Sequence, residues 1–328
     1  MSQTSRHLPD RADGRRRSAA RHATVLLAVT ALAACRPAEN SGSGAASAAA
    51  AADTAGTVLV IARDYAFEAP DSLPSGWTTF RFQNRGKQTH FMLLDHLPDG
   101  KTYEDYRNEL LPPFDSAWAA QRRGASQAEA GKIVAAGLPA WFADFEELGG
   151  VGLVAPGDTT RVTEKLVPGT YVLECYMKGP DGSFHRAMGM ERPLHVTASS
   201  SGGRPPEADI DLTLRNDAIV TTGTWTPGPH TVRVAYAEQP ETGEVGGNDV
   251  HVARLKDGQS AADLAPWMYF MNVKGLQVPA PAEFLGGAEE MPAGDTAYFS
   301  VDLGPGRYAL ISEVAPQRHM YMELTVEP

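Results

Sequence analysis

Cysteine is almost absent. The 328 residues carry two, Cys35 and Cys175, and two cannot build a disulfide framework, so the fold must be held by its core. Basic residues are also short, 29 Lys and Arg against 40 Asp and Glu, for a net charge of -11. The first 34 residues hold six Arg and two acidic groups, so the remainder carries -15. Without a basic face to meet phosphates, nucleic acid is excluded as a partner. No nucleophile elbow, phosphate loop or zinc-protease motif occurs, and no two His residues flank a single residue anywhere in the chain. What is present suits a globular protein: 42% hydrophobic and 21% charged residues supply a sizeable core. The length suggests two domains, and 56 Pro and Gly residues suit a turn-rich β protein.

The N-terminus reads as an export signal. Arg15, Arg16, Arg17 and Arg21 precede an apolar run from Ala23 to Ala34, which is too short to span a bilayer and right for a secretory signal. Leu32-Ala33-Ala34-Cys35 resembles the lipobox of bacterial lipoproteins, in which the Cys is lipidated and becomes the new N-terminus. Residues 1–34 are therefore expected to be a lipoprotein signal peptide and Cys35 a lipidation site. Residues 35–56, rich in Ser, Gly and Ala without period, read as a flexible tether. The expected location is the cell envelope, lipid-anchored outside the cytoplasmic membrane, in the periplasm or at the outer membrane.

The body from Thr57 onward is expected to be all-β. Val58, Val60 and Ala62 alternate with Leu59, Ile61 and Arg63, and Thr78-Thr79-Phe80-Arg81-Phe82 alternates polar with apolar. Pro156-Gly157-Asp158 and Pro168-Gly169 mark turns. Thr102 to Leu148 departs from this pattern: Tyr103, Tyr106, Leu110 and Ile133-Val134 fit short helices inserted between strands, with Pro112-Pro113 and Gly124 as interruptions. An internal repeat also appears. Gly157-Asp158-Thr159 and Leu166-Val167-Pro168-Gly169-Thr170-Tyr171 recur 137 positions later as Gly294-Asp295-Thr296 and Leu303-Gly304-Pro305-Gly306-Arg307-Tyr308. Leu97-Pro98-Asp99-Gly100 matches Leu255-Lys256-Asp257-Gly258 at an offset of 158. Two copies of one β domain, 57–198 and 207–328, joined by a linker at 199–206, are expected.

The chemistry concentrates after Cys175, in Tyr176-Met177-Lys178-Gly179-Pro180-Asp181-Gly182-Ser183-Phe184-His185-Arg186-Ala187-Met188-Gly189-Met190. Taken singly, each residue has an ordinary reading: a buried thiol, a polar strand residue, methionines filling core gaps. Together, Cys, then His, then Met resembles the ligand loop of the cupredoxins, the type 1 copper proteins, and the end of the loop looks like the pseudoazurin branch. Tyr65-Ala66-Phe67, Ser75-Gly76 and Phe80-Arg81-Phe82-Gln83-Asn84 resemble the family's early strands, and His90 stands where it carries its other His ligand. The resemblance implies two tandem cupredoxin-like Greek-key β-sandwiches, the first with a helical insertion. It further implies one type 1 copper held by His90, Cys175, His185 and Met190, with Met188 as the alternative axial ligand. Two imidazoles, a thiolate and a weak thioether serve both Cu(I) and Cu(II), which suits electron transfer. The Cys175–His185 gap holds nine residues, closer to the loop of copper nitrite reductases than to that of the small carriers.

Redox donor and acceptor proteins of the cell envelope, and the membrane through the N-terminal lipid, are the expected partners. Glu174 and Tyr176 flank Cys175 where multicopper enzymes place a His, and no His-x-His pair is present, so the chain is expected not to be an enzyme. A Cu(I) chaperone or scavenger is the second reading, from the soft set Met177, His185, Met188 and Met190 and from His319-Met320-Tyr321-Met322. A metal-free assembly module is the third. In the second repeat Ser312 falls at the place of Cys175 and Asn248 at that of His90, so no type 1 copper is expected there.

Overall fold

Sixteen strands account for the architecture of the computed structural model, which describes residues 56–240, 246–314 and 316–328. The expected signal peptide, most of the tether and Cys35 lie outside the described residues. The first half contains β1 (Thr57–Arg63), β2 (Ala66–Glu68), β3 (Ser72–Asn84), β4 (His90–Leu97), β5 (Glu146–Val154), β6 (Thr159–Leu166), β7 (Gly169–Glu174) and β8 (Glu191–Ser200). The second contains β9 (Ile210–Leu214), β10 (Ile219–Thr222), β11 (Gly228–Tyr236), β12 (Val250–Arg254), β13 (Glu283–Ala288), β14 (Thr296–Leu303), β15 (Gly306–Ile311) and β16 (Tyr321–Val326). The fold is an all-β sandwich. Alternating apolar positions drive it: in β14 Ala297, Phe299, Val301 and Leu303 are buried while the residues between them are more exposed, and Phe80 and Phe82 of β3 point into the same core.

Most pairings of the first eight strands recur among the second eight. In one sheet β1, β3 and β6 are neighbours, as are β9, β11 and β14; in the other β5, β4, β7 and β8 are neighbours, as are β13, β12, β15 and β16. Non-consecutive neighbours such as β3 with β6 and β4 with β7 are the Greek-key crossings. Glycine supports the same close approach in both halves. A Cβ on Gly150 would stand 2.0 Å from the Met92 carbonyl oxygen, and one on Gly287 would stand 1.9 Å from that of Val250; both glycines have positive φ.

The halves join edge to edge. Val162 of β6 pairs with Phe299 of β14, and Val151 of β5 with Ala288 of β13. In each case a residue pairs with the one 137 positions on, the self-complementary register of a two-fold interface. Both sheets therefore run through the whole body, and the described residues form one compact unit. The segment after β8 is pinned along β3, with Ser201 N donating to the Ser75 carbonyl at 2.7 Å and Ser201 Oγ to that of Trp77 at 2.7 Å.

The expected helical insertion lies between β4 and β5. It opens with a capping box between Thr102 and Asp105 and continues through helices Leu111–Arg122 and Gln127–Gly137. Pro112 and Pro113 do not interrupt it: they occupy the first turn of Leu111–Arg122, where no intrahelical N–H is needed.

Glu164 of β6 sits fully buried under this seam, accepting from Gly150 N at 3.0 Å. Burial pushes its carboxyl up to about 8 from the usual 4.5. A carboxyl raised on folding favours the native state while protonated, so its contribution is complete below about 4.5 and is lost as the pH rises toward about 8. Urea unfolding of wild type and Glu164→Gln across that window is expected to show the variant losing less stability, by on the order of 2–4 kcal/mol. Parallel losses in the two proteins would contradict this placement of Glu164.

Candidate metal centre

Three donor atoms from distant sequence converge on one buried point. His90 opens β4, Cys175 follows the last residue of β7, and His185 lies in the loop between β7 and β8. Cys175 Sγ is 3.9 Å from His90 Nδ1 and 3.7 Å from His185 Nδ1, and the two Nδ1 atoms are 3.2 Å apart. All three residues are fully buried. Atoms that share a metal at about 2.0–2.3 Å stand roughly 3–4 Å from one another, so these spacings are those of a common ion.

The far side of each ring fixes its tautomer. His90 Nε2 is 2.7 Å from Asp64 Oδ1, and His185 Nε2 is 2.9 Å from Gln88 Oε1. Burial raises the Asp64 carboxyl, but the Lys87 N–H and His90 outweigh it and leave it below the usual range, so it is an ionised acceptor. The Gln88 amide is oriented by its Nε2, which donates to the Tyr65 hydroxyl at 2.7 Å. Each imidazole must therefore donate from Nε2, leaving both Nδ1 atoms as bare lone pairs facing each other and the sulfur. Adding protons does not relieve the repulsion: burial lowers His90 against the pull of Asp64, and burial together with His90 holds His185 down at about 3. Burial also pushes the Cys175 thiol up, so only a cation in the gap would hold it as thiolate.

The backbone holds the loop tightly. Arg186 N donates to the Cys175 carbonyl at 2.9 Å, His185 N to that of Met177 at 2.7 Å, and Cys175 N to that of Met190 at 3.1 Å. The expected turn at 179–182 is present, with Gly182 N donating to the Gly179 carbonyl at 2.9 Å. The helical insertion braces the loop from outside, through Trp118 Nε1 on the Gly182 carbonyl at 3.0 Å and Asp115 on Arg186 at 2.5 Å. The second half braces it from the other side: Lys178 N donates to the Leu276 carbonyl, and Val278 N to that of Lys178, each at 2.9 Å. Behind His90, a Cβ on Gly86 would come within 2.8 Å of His90 Nε2 and closer still to Asp64, so only glycine lets that hydrogen bond form.

Met190 is fully buried and Met188 is 36% exposed, which favours Met190 as the thioether near the site. With His90, Cys175 and His185 it makes a donor set that fits type 1 copper. Ser312 and Asn248, at the equivalent places in the second half, are engaged in hydrogen bonds to Asp249 and to Asn216 and Glu238. His319 is exposed and Met320 buried. The spacing reading missed Asp64 and Gln88, for which no motif exists. It also missed a second group, Asp249, His251, Glu289 and Glu313, that the fold gathers in the second half.

No family model matches the chain, and no curated protein matches it. Solved structures do. A dithionite-reduced auracyanin from the photosynthetic bacterium Roseiflexus castenholzii is 21% identical, covering 44% of this chain and 99% of its own, with a TM-score of 0.27. A copper-containing nitrite reductase from Thermus scotoductus SA-01 is 12% identical over 83% of this chain and 61% of its own, with a TM-score of 0.20. A blue copper oxidase from Nitrosomonas europaea is 14% identical over 83% and 85%, with a TM-score of 0.22. Scores this low carry no argument about the activity of this chain. The expectation that the chain is not an enzyme is corrected all the same: the solved structures it matches include copper enzymes, and a missing His-x-His pair does not exclude catalysis.

Long-range proton–nitrogen NMR spectra of the metal-free protein are expected to show both His90 and His185 as neutral rings protonated at Nε2. A proton on Nδ1 of either ring would instead bridge the two nitrogens, and would contradict the lone-pair arrangement.

Proposed function

We propose that the chain is an exported type 1 copper protein that carries single electrons. The observation that carries this reading is the meeting of two unprotonated Nδ1 atoms and the Cys175 sulfur in a buried gap. His90, Cys175 and His185 would hold the ion, with the Met190 thioether as a further weak donor. Bound there, copper supplies one-electron Cu(I)/Cu(II) chemistry.

The chain's own residues prepare the site for either charge state. Asp64 and Gln88 fix the two imidazoles by their far nitrogens, so neither ring has to turn when the charge changes. Tyr65 packs against His185 with ring centroids 4.8 Å apart, and Phe91 against Tyr176 at 4.5 Å, which keeps water from the sulfur. The braces from the helical insertion and from Leu276 and Val278 hold the loop's shape. Little reorganisation is then demanded of the protein, which is the requirement for fast electron exchange.

We read the body as two cupredoxin-like repeats, 57–198 and 207–328 with 199–206 between them, of which the second supports the first. Lipidation at Cys35 after a signal peptide of residues 1–34 would anchor the protein outside the cytoplasmic membrane, in the periplasm or at the outer membrane. Two or more acyl chains hold a protein stably where one does not. Among the described residues no helix is long and apolar enough to cross a membrane. Donor and acceptor proteins of the envelope would be the redox partners, and the net charge of -15 that remains without residues 1–34 favours basic ones.

Copper loading of the purified protein tests this reading. An intense thiolate-to-copper visible band with a matching paramagnetic signal is expected, at one copper per chain, and is lost in Cys175→Ser. Tight Cu(I) binding with no coloured Cu(II) form would overturn electron transfer in favour of copper handling, and no copper binding would leave an assembly module. Metabolic labelling with a palmitate analogue tests the anchor: label is expected on the wild type and none on Cys35→Ser, and an unlabelled wild type would contradict lipidation.

A further inference from the structure

Four side chains of the second half meet at its seam with the first. Asp249 precedes β12, His251 lies within it, Glu289 follows β13 and Glu313 follows β15. One ligand-capable atom from each lies within 4.8 Å of those of the others, and none of the four residues is more than 4% exposed. Three carboxylates thus confront one another away from water, where like charges repel strongly.

The protein supplies only part of what these oxygens need. Asp249 Oδ1 accepts from Ser312 Oγ at 2.5 Å and from Glu313 N at 2.8 Å, and Oδ2 lies 3.1 Å from His251 Nε2. The Tyr176 hydroxyl donates to Glu313 Oε2 at 3.0 Å. Glu289 Oε1 and Glu313 Oε1 receive no hydrogen bond, although both residues are buried. The surroundings offer little relief. Glu164 and Glu290 are further buried acids nearby and bring no cation, and Lys178 directs its Nζ to the carbonyls of Phe270 and Asn272 at 2.6 and 2.8 Å.

His251 has a defined part. Leu153 N donates to its Nδ1 at 3.0 Å, so the neutral ring carries its proton on Nε2, toward Asp249 and toward Glu313 Oε1 at 3.3 Å. The ring is therefore a donor that braces Asp249, and the free electron pairs belong to oxygen. Oxygen donors of this kind suit Mn2+, Mg2+ or Ca2+ better than copper.

We infer that Asp249, Glu289 and Glu313 form a second metal site, separate from the Cys175 centre, that takes a hard divalent cation through carboxylate oxygens with His251 as the bracing donor. The site ties the halves together, because Leu153 and Tyr176 come from the first and the carboxylates from the second.

Manganese is the probe. Metal-depleted full-length protein is titrated with Mn2+, and free Mn2+ is read by paramagnetic resonance, for wild type, Cys175→Ser, Glu289→Gln and Glu313→Gln. One Mn2+ per chain is expected for wild type and for Cys175→Ser, with affinity reduced by about tenfold or more in each Gln variant. Mn2+ is also expected to raise the unfolding midpoint of wild type and not of the Gln variants. Each Gln preserves volume and removes a buried charge, and circular dichroism of both shows whether they fold. No bound Mn2+ in wild type would overturn the site and leave carboxyls neutralised by protons. Binding that survives both Gln substitutions would overturn it as surface association. Retention in Cys175→Ser separates this outcome from any failure of the copper reading.

Discussion

Two imidazole nitrogens without protons stand 3.2 Å apart beside a buried sulfur, and the surrounding structure exists to keep them there. Nothing in an apolar interior favours three electron-rich atoms in contact, and an unpaired buried acceptor costs on the order of 1–3 kcal/mol. The arrangement persists because the outer nitrogens are committed elsewhere, to Asp64 and to Gln88. A cation in the gap turns the same three atoms from a cost into a site, which is the physical sense in which the protein is built for a metal.

That constraint depends on parts far apart in sequence. The loop from Cys175 to Met190 is closed by its own backbone, then clamped by Trp118 and Asp115 from the helical insertion and by Leu276 and Val278 from the second half. The clamp is rigid because the second half is not a separate body. Its edge strands continue both sheets in the register of a two-fold pair, so that Phe299 meets Val162 and Ala288 meets Val151. A half that holds none of the Cys–His–Met set thus contributes to the geometry of the half that does.

The Cys–His–Met set was legible in the sequence because Cys175, His185 and Met190 lie in one short loop, and the likeness of the two halves was legible because turn motifs such as Gly157-Asp158-Thr159 and Gly294-Asp295-Thr296 are local patterns. What was not legible depends on contacts between distant residues. Asp64 and Gln88 lie in loops with no spacing rule, and Asp249, Glu289 and Glu313 follow no motif and meet only where β12, β13 and β15 bring their ends together. The fusion of the halves escaped for the same reason, since register across a seam leaves no trace in either strand alone. Pro112 and Pro113 looked like a break because the residues that begin a helix and those that end one overlap.

The claim on which the account rests is that Cys175, His90 and His185 hold copper together. Copper K-edge X-ray absorption on the copper-loaded full chain addresses it most directly, since it counts the atoms bonded to the ion. The account predicts one short copper–sulfur bond and two imidazole scatterers, with the sulfur contribution lost in Cys175→Ser. Copper surrounded by nitrogen and oxygen alone, with no short sulfur bond in the wild type, would contradict it.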